Sequence, residues 1–500
     1  MISRRQILKT GGALTALGTL PTLSHAAAPG PWDVIVVGGG TAGLPTALFA
    51  AERSTRVLVV EHGTMLGGTL DRSTGQVAAA GTVFQEARDI EDSPDAHYDD
   101  IMRINGGTSD PVLTRRFVEH AGDSLNWLAA NGFQVLPDHP ITGHGHEHFR
   151  TARYQWGEKG GWSIYEAMAP LIQRATDKGA LHIHLNTRAT ELMFDARGRV
   201  AGVITESADG GRTEHIARNV VLASGGCASN PAMFRELHGR PLYCQVAHPN
   251  SQGIGITLGL SAGGYVRGGE HYLPLPGAIL AIDNYPAPPV AIPPLNPTLR
   301  LPWEILVNAQ GERFVREDDP HVHNIESAIR QLPGERHWAI FDDTILDAAP
   351  ALVPDWSPDR LRAEVDKQPM IASAESIGAL AAAAGIDPET LTRSVADYNR
   401  ALANDRPDPM GLEHRPLPIA KPPFYAVRMN GWTLISFAGI GVNENLQVTN
   451  AAGAPIDHLY AVGEVIGAGA TSGHAYTNGM LVSPAVTFGR LLGKDILEFA

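Results

Sequence analysis

The length, composition and charge of the chain define its broad class. Its 500 residues are 43% hydrophobic and 18% charged, enough apolar sequence for more than one globular core, so we expect two or three domains. A formal net charge of −14, without a run of Lys and Arg, argues against a nucleic-acid partner. Two cysteines, Cys227 and Cys244, cannot staple a chain of this size, and no Cys-x-x-Cys-His motif is present to attach a c-type haem.

The N-terminal segment predicts export. Residues 3–9 read Ser-Arg-Arg-Gln-Ile-Leu-Lys, a weakly apolar run follows at residues 10–23, and small residues follow at 26–28. This pattern resembles a twin-arginine signal, and its apolar run is too short and polar to span a bilayer. We expect residues 1–28 to be cleaved, the folded protein to reach the periplasm or another extracytoplasmic compartment, and no stable membrane insertion.

A glycine-rich turn indicates a dinucleotide site. The apolar, β-branched run at residues 33–37 leads into Gly38-Gly39-Gly40-Thr41-Ala42-Gly43 and then a helical stretch, which is the context that a Gly-x-Gly-x-x-Gly motif requires. Gly38 allows the turn, Gly40 lets the backbone approach a pyrophosphate, and Gly43 lets the helix pack on the strand. A second apolar run, residues 56–60, ends in Glu61, whose carboxylate is placed for ribose hydroxyls.

A second small-residue loop favours FAD over NAD. Gly67-Gly68-Thr69 and then Ser73-Thr74-Gly75 follow the ribose acid, and a Gly-Gly at this place resembles the FAD-binding class. Later strands run into Ser224-Gly225 and Gly463-Glu464, and a helix from about Leu481 would turn its N-terminal amides toward the flavin. The further predicted cofactor contacts are Ala189, Ser224, Gly225, Gly463, Glu464, Leu481 and Val482.

Because these pieces lie at both ends of the chain, an insertion is expected between them. We predict a first FAD-binding part at residues 29–270, a cap at 271–429 and a second FAD-binding part at 430–500. The insertion opens with a Pro-rich stretch and contains helical segments at residues 377–384 and 388–402.

Four segments resemble one known family. They are the glycine motif, Ile305–Glu317, Leu459–Glu464 and Pro484–Arg490, and the chain is similar through them to the flavoprotein subunits of fumarate reductase and succinate dehydrogenase, with their 3-ketosteroid dehydrogenase and urocanate reductase relatives. The resemblance implies an α/β fold: a Rossmann-like FAD-binding domain of the glutathione-reductase type, interrupted by an α+β capping domain. It also implies non-covalent FAD, because covalent members use a His in the loop after the Gly-Gly and residues 69–81 contain none.

Departures from the family pattern shape the predicted catalytic set. Tyr476 stands where fumarate reductases carry a substrate arginine, and Ile435 stands where they carry a histidine. His321 aligns with their proton-donating arginine and with a tyrosine of the steroid branch, and Arg300 alone is left of the usual cations. We therefore predict His321 for proton transfer, Tyr476 for donation to a substrate carbonyl, and Arg300 as a further site residue, with no metal.

Several assignments stay open at this level. His323, Tyr154 and Tyr165 are reserve candidates, and the histidines at 139, 144, 146 and 148 are expected in a solvated loop or entrance rim rather than a metal site. The main hypothesis is hydride transfer at the α,β carbon–carbon bond of a largely apolar carbonyl compound, in either direction. The alternatives are reduction of a small unsaturated carboxylate held by Arg300, and a flavin-binding or electron-transfer subunit without turnover. A separate quinone, cytochrome or redox protein is expected as electron partner.

Overall fold

The computed structural model describes residues 31–54, 56–365 and 367–499, so the predicted signal segment lies outside the described residues. The strands are β1 (Trp32–Val37), β2 (Val57–Val60), β3 (Val77–Ala78), β4 (Tyr154–Gln155), β5 (Leu181–His184), β6 (Thr187–Phe194), β7 (Val200–Ser207), β8 (Arg212–Leu222), β9 (Val266–Arg267), β10 (Leu275–Leu280), β11 (Pro289–Ala291), β12 (Ile305–Val307), β13 (His337–Asp342), β14 (Ile371–Ala374), β15 (Phe424–Trp432), β16 (Gly439–Ile440), β17 (Gln447–Thr449) and β18 (Pro455–Ala461).

The helices alternate with these strands. They are α1 (Gly43–Ala51), α2 (Val83–Glu86), α3 (Pro94–Ile104), α4 (Pro111–Ala130), α5 (Gly161–Asp177), α6 (Pro231–His238), α7 (Ile254–Ser261), α8 (Val322–Gln331), α9 (Asp343–Ala348), α10 (Pro358–Glu364), α11 (Ile377–Ala384), α12 (Pro388–Ala403), α13 (Gly469–Ser472) and α14 (Val482–Asp495). Short 3₁₀ turns occupy Gly68–Asp71, Gly269–His271, Pro333–Glu335 and Gly463–Ile466.

The larger sheet is the Rossmann-like core. Its strands lie in the order β17-β18-β8-β1-β2-β5, and every pair from β18 to β5 is parallel. The apolar runs of β1 and β2 are buried, as expected for parallel strands covered on both faces. Strands β6 and β7 extend β8 as an antiparallel meander. The predicted α/β class is therefore correct, and its FAD-binding unit draws strands from both ends of the chain.

The inserted segment forms its own antiparallel sheet, in the order β11-β10-β15-β13-β12, with β14 also paired to β15. Helices α8 to α12 accompany this sheet in the chain. The two helices expected from sequence form here as α11 and α12, and each begins at a side-chain cap: Ser376 accepts from the Ala379 amide and Asp387 from the Thr390 amide. The insertion is thus an α+β unit with a hydrophobic core separate from that of the larger sheet.

Two features lie across the boundaries expected from sequence. Strand β15 continues to Trp432, past the expected end of the cap at 429, and pairs there with Leu275. Cys244 packs in the core of the cap, whereas Cys227 packs in the core of the larger sheet. Both are buried free thiols.

A small third cluster joins the two units beside the candidate site. It consists of Phe234, Leu242, Tyr272, Leu273, Ile435, Phe437, Ala468 and Tyr476. Its members come from the segments that lead into and out of the cap, so it fixes Tyr476 where the two units meet. Among the described residues, no helix combines the length and apolar character needed to cross a bilayer.

Candidate active site

A cavity of about 660 Å³ opens where the parallel strands β1, β8 and β18 end. The carboxyl edge of such a sheet is where doubly wound folds bind ligands. Most of the cofactor contacts predicted from sequence line this cavity: Gly38, Gly40, Thr41, Ala42, Glu61, Gly68, Thr69, Ser73, Ala189, Ser224, Gly225, Gly463, Glu464, Leu481 and Val482. The fold therefore brings widely separated segments to one wall.

Three predicted glycines, Gly43, Gly67 and Gly75, lie behind that wall rather than on it. A Cβ on Gly43 would lie 1.9 Å from the Gly38 carbonyl oxygen, so this glycine lets α1 pack on the turn. Gly75 has a φ of +65° and approaches Gly160 closely. These residues shape the wall without touching the space that a ligand would occupy.

The turn between β1 and α1 fits a pyrophosphate. Gly40 faces Gly68 across the cavity, and a Cβ on Gly40 would meet only Gly68, at 3.6 Å. The space there is open toward the cavity and would be filled by any larger side chain. The backbone amides of the turn and of the start of α1 would hold the diphosphate, as the N-terminus of a helix holds anions.

Glu61 lies where we predict the ribose. Its carboxylate accepts hydrogen bonds from the Gly39 amide (2.8 Å) and the Gly63 amide (2.6 Å), so the side chain is fixed at the end of β2. It lines the cavity beside His62 and Asn250, which were not predicted from sequence. Glu61 is held where a carboxylate can accept from ribose hydroxyls.

Glu464 also lines the cavity. It accepts from the Ser436 amide (2.8 Å) and the Ser436 hydroxyl (3.2 Å), both through Oε1. Burial raises the pKa of Glu464 to about 7, against the opposing effect of Ser436. A carboxyl group buried at this cost is placed to accept from a polyol, such as the ribityl chain of a flavin, through its other oxygen.

Tyr476 also lines the cavity. Only 8% of its surface is exposed, and burial raises the pKa of its phenol. The hydroxyl donates to the Leu273 carbonyl (3.2 Å) and lies 3.4 Å from the Thr433 hydroxyl. A substrate oxygen entering here would compete with the Leu273 carbonyl for this proton.

His146 lies on Tyr476. The two rings are stacked, with centroids 5.4 Å apart and planes 16° apart, and His146 lines the cavity. Burial lowers the pKa of His146 to about 4, with a smaller contribution from His144, so the ring is neutral near pH 7. Within the described chain His146 makes no side-chain hydrogen bond, which leaves its ring nitrogens available to a ligand.

His146, expected from sequence in a solvated loop or entrance rim, thus lines the cavity and was not among the predicted site residues. The available signal was the alternation Gly-His-Gly-His-Glu-His at residues 143–148, but it does not say which ring turns inward. Two hydrogen bonds fix the orientation of the loop. The Asn478 side-chain amide donates to the Glu147 carbonyl (2.9 Å), and the His144 backbone amide donates to Asn478 Oδ1 (3.3 Å). They tie the loop to the segment that follows Tyr476.

Ile435 belongs to the same hydrophobic cluster as Tyr476, and Leu275 packs against that cluster. Both line the cavity, together with Leu434 and Met480 and the polar Thr477 and Asn478. No lysine lines the described cavity, and its two arginines, Arg72 and Arg188, belong to segments that also supply Thr69, Ser73 and Ala189 to the cofactor wall. The cavity surface that contains Tyr476 and His146 therefore offers uncharged hydrogen-bonding groups beside apolar side chains, rather than a set of cations.

The structure places the other two predicted catalytic residues away from this cavity. The His321 side chain is 56% exposed, and its Nδ1 lies 2.9 Å from Glu147 Oε2. Arg300 donates to Glu304 with two nitrogens (2.8 and 3.0 Å) and to the Pro350 carbonyl (3.0 Å). Arg300 lines a separate cavity of about 160 Å³ in the cap. In this arrangement its charge is already matched by Glu304.

Of the three reserve candidates, one lines the cavity and two do not. Tyr154 lines the cavity, and burial raises the pKa of its phenol. Tyr165 instead stacks on Trp162 outside the cavity wall, and His323 lies on α8 near Glu147 (3.8 Å). The histidines near residue 144 form no metal-binding group, and neither do any other described residues.

The fold and the cavity define a dinucleotide-binding flavoprotein with a capping unit. The chain belongs to the FAD binding domain family, whose model matches residues 33–478, and residues 1–21 match the twin-arginine translocation signal. The protein is an FAD-dependent oxidoreductase of the fumarate reductase family, and the twin-arginine route exports it to the periplasm.

Named relatives cover nearly the whole chain. The fumarate reductase (cytochrome) of Shewanella frigidimarina is 26% identical over 477 residues, covering 94% of this chain and 77% of the relative. The urocanate reductase of Eggerthella lenta is 28% identical, covering 94% and 75%. The 3-ketosteroid Δ1-dehydrogenase of Sterolibacterium denitrificans, solved with 1,4-androstadiene-3,17-dione, is similar in fold, with a TM-score of 0.73, 20% identity and coverage of 94% and 99%.

Proposed function

We propose that this protein transfers hydride at the α,β carbon–carbon bond of a neutral, largely apolar carbonyl compound. One observation carries the proposal: His146 and Tyr476, two uncharged hydrogen-bonding side chains, stack on each other in a cavity that is also lined by the apolar Leu275, Leu434, Ile435 and Met480. The two named reductases support the reaction type, because fumarate and urocanate each carry a carbon–carbon double bond conjugated to a carboxyl group.

Charge separates this substrate class from the carboxylates that the two named reductases act on. A dicarboxylate brings two negative charges, and an unpaired buried carboxylate costs several kcal/mol. The guanidinium groups on the described cavity wall lie with the cofactor segments, and Arg300 is paired with Glu304. A neutral carbonyl group needs only a hydrogen bond, which Tyr476 and His146 can provide.

Each of these side chains has a distinct role in the proposal. Bound FAD would accept or supply the hydride. His146, being neutral, donates an N–H to the carbonyl oxygen and so stabilises the negative charge that develops there. Tyr476 gives or takes the proton that accompanies the hydride. Leu275, Ile435 and Met480 exclude water from the reacting carbons.

The assignment of proton transfer to His321, made from sequence, stays a prediction. Its support is the motif position after Phe314–Glu317. The observed contact with Glu147 also suits a positioning role, since Glu147 adjoins His146 in the chain. The electron partner is proposed to be a separate quinone, cytochrome or redox protein.

The proposal is tested by the absorbance of the bound flavin under anaerobic conditions. The oxidised protein is mixed with saturated cyclic ketones and with succinate, and the chemically reduced protein with the matching enones and with fumarate. We expect a ketone or enone to change the flavin spectrum within the mixing experiment and the dicarboxylates to leave it unchanged. A response to fumarate or succinate alone would instead favour the small-carboxylate reductase, and no response to any compound would favour a binding subunit.

A further inference from the structure

The loop that carries His146 contacts the cap on both sides of this residue. Asn296 of the cap donates to the Gly145 carbonyl, and His321 of the cap lies with its Nδ1 2.9 Å from Glu147 Oε2. Gly145 and Glu147 are the residues directly before and after His146 in the chain. The His146 ring itself makes no side-chain hydrogen bond among the described residues. Apart from the stacked phenol, its position in the cavity therefore depends on how its two neighbours are held.

The carboxylate of Glu147 is shared between the two units and is only 13% exposed. Its Oε1 accepts from Arg103 of α3, in the FAD-binding unit, and Arg103 also donates to the buried Asp100 (3.2 Å). Its Oε2 faces the cap, 2.9 Å from His321 Nδ1 and 3.8 Å from His323 Nδ1. One oxygen is thus anchored in the FAD-binding unit, and the other is the one that the cap reaches.

The backbone of this loop is held by contacts and not by helix or strand structure. Gly145 has a φ of +77°, and glycine loses more conformational freedom on ordering than any other residue. In the FAD-binding unit, Asn478 fixes the loop, and a Cβ on Gly143 would lie only 2.7 Å from Asn478 Nδ2. In the cap, the contacts are those to Gly145 and Glu147. Without them the loop would be attached to one unit alone, and more conformations would be open to it.

The position of His321 suits it to hold this loop. Its side chain is 56% exposed, and it is not among the described residues that line the cavity. Because a carboxylate only accepts hydrogen bonds, the proton between the two groups lies on Nδ1, and His321 donates it to Glu147. The His321 backbone amide donates to Asp319 (2.9 Å), which fixes the residue at the start of α8.

We propose that Glu147 is a positioning residue for His146, and that His321 of the cap holds Glu147 in place. The inference rests on the proposed function. His321 then acts on the reaction through Glu147 and His146, and the substrate carbonyl binds the one loop conformation that the cap has fixed. Removing the contact lowers the fraction of molecules in that conformation, so the apparent dissociation constant of the substrate rises by the same factor. Saturating substrate restores the conformation, and the flavin step at saturation keeps nearly its parental rate.

The experiment compares the parental FAD-loaded protein with His321→Ala, Glu147→Gln and the double variant that combines them. Rapid anaerobic mixing of the reduced proteins with increasing concentrations of a cyclic enone gives the half-saturating concentration and the limiting rate of flavin oxidation. We expect each single variant to raise the half-saturating concentration by roughly 10-fold and to keep the limiting rate within about 2-fold of the parental rate. The double variant should resemble the single variants, because both changes break the same contact.

Two further variants make the test specific. An asparagine amide can occupy nearly the place of a histidine Nδ1 and donate there, but it cannot transfer a proton, so His321→Asn should behave like the parental protein. Glu270→Gln is the matched control, because Glu270 pairs with its own chain neighbour His271 (3.5 Å) and is 72% exposed, and it should also match the parental protein.

Three results would overturn the proposal. A limiting rate that falls about 100-fold in both His321→Ala and His321→Asn would make His321 the proton donor. Parental behaviour of Glu147→Gln, or additive effects in the double variant, would show that the contact does not position His146. An equal rise of the half-saturating concentration in Glu270→Gln would show that the effect is not specific to Glu147.

Hydrogen–deuterium exchange of the FAD-loaded protein tests the loop without turnover. Peptides that cover residues 142–149 should exchange faster in His321→Ala and Glu147→Gln than in the parental protein, His321→Asn and Glu270→Gln. If this difference is present but no ketone or enone reacts, the proposed substrate class fails while the control of the loop by the cap stands. Equal exchange of the loop in all of these proteins would refute the positioning role of Glu147.

Discussion

The stacked pair of His146 and Tyr476 joins two parts of the chain that are far apart in sequence. The imidazole is neutral because burial lowers its pKa to about 4, and the phenol keeps its proton because burial raises its own. Both groups therefore act as hydrogen-bond donors over the ordinary pH range. The two groups differ in the contacts they already make. The Tyr476 hydroxyl contacts Leu273 and Thr433, whereas the ring nitrogens of His146 have no hydrogen-bond partner in the described chain.

Replacing His146 with Phe should keep the stacked ring and remove the donor. We expect the flavin step to slow by about 100- to 1000-fold with FAD retained, the usual loss for one donor to a developing oxyanion. His144→Phe, at the exposed neighbour on the same loop, should react at nearly the parental rate. Rapid anaerobic mixing measures both. If His321→Ala is strongly impaired and His146→Phe is not, the assignment made from sequence is the better one.

Glu326 also predicts a pH-dependent stability. Its folded pKa is raised to about 8 from an ordinary 4.5, so the carboxyl favours the folded state below its unfolded pKa, and this contribution is lost as pH rises through 8. The Tm of the parental protein should therefore fall relative to that of Glu326→Gln between pH 6 and 9. Thermal unfolding of the two proteins in parallel checks this, and a constant difference in Tm would contradict it.

At the scale of elements, the turn between β1 and α1 separates two uses of glycine. Gly43 is required by the fold, because a Cβ there would collide with the Gly38 carbonyl oxygen. Gly40 faces the cavity, and a Cβ there would lie 3.6 Å from Gly68, an ordinary contact. The first position thus serves packing, and the second leaves open the space where we predict the pyrophosphate.

Gly40→Ala should fold and bind FAD weakly, since the added methyl group occupies the space of the pyrophosphate. Gly378→Ala is the control: it lies within α11 with open space around its Cβ, and it should stabilise the protein by about 0.5–1 kcal/mol. The FAD-to-protein absorbance ratio and the far-ultraviolet circular dichroism test this pair. A Gly40→Ala protein that keeps its full complement of FAD would show that the turn does not contact the cofactor.

Elements with local signals were predictable from the sequence, and positions set by long-range contacts were not. The strand, turn and helix at residues 33–51 follow from an apolar run, glycines at fixed spacing and helical periodicity, and Asp387 and Pro388 mark the start of α12. By contrast, His146 turns inward because its loop is held by Asn478, more than three hundred residues away. No local pattern carries that information. Arg300 is a different case, because its partner Glu304 lies only four residues away. The sequence shows that acid, but not that it takes up the guanidinium group expected to meet a substrate.

At the scale of the whole molecule, the cap meets the FAD-binding unit near Tyr476 and the loop that carries His146. His321 contacts Glu147, Asn296 donates to the Gly145 carbonyl, and the third hydrophobic cluster lies behind Tyr476. The loop that carries His146 is thus held from both units. A substrate bound against His146 would contact the FAD-binding unit directly. It would be linked to the cap through Glu147 and Gly145, which contact cap residues.

The mode of FAD attachment is a property of the assembled protein. No histidine occurs between Thr69 and Gly81, the loop that covalent members of the family use. We expect acid or heat to release FAD quantitatively into the supernatant of the precipitated protein, where absorbance and chromatography identify it. A flavin that stays with the precipitate would show covalent attachment.

The proposed reaction takes place at the carbon–carbon bond beside a neutral carbonyl group. The most direct measurement incubates the purified protein with a chemical electron donor or acceptor and determines the mass and the position of unsaturation of the product. We expect a cyclic enone or its saturated ketone to gain or lose two hydrogens at the α,β carbons, faster than fumarate or succinate reacts at equal concentration. Efficient conversion of the dicarboxylates, with the ketones and enones unchanged, would contradict it.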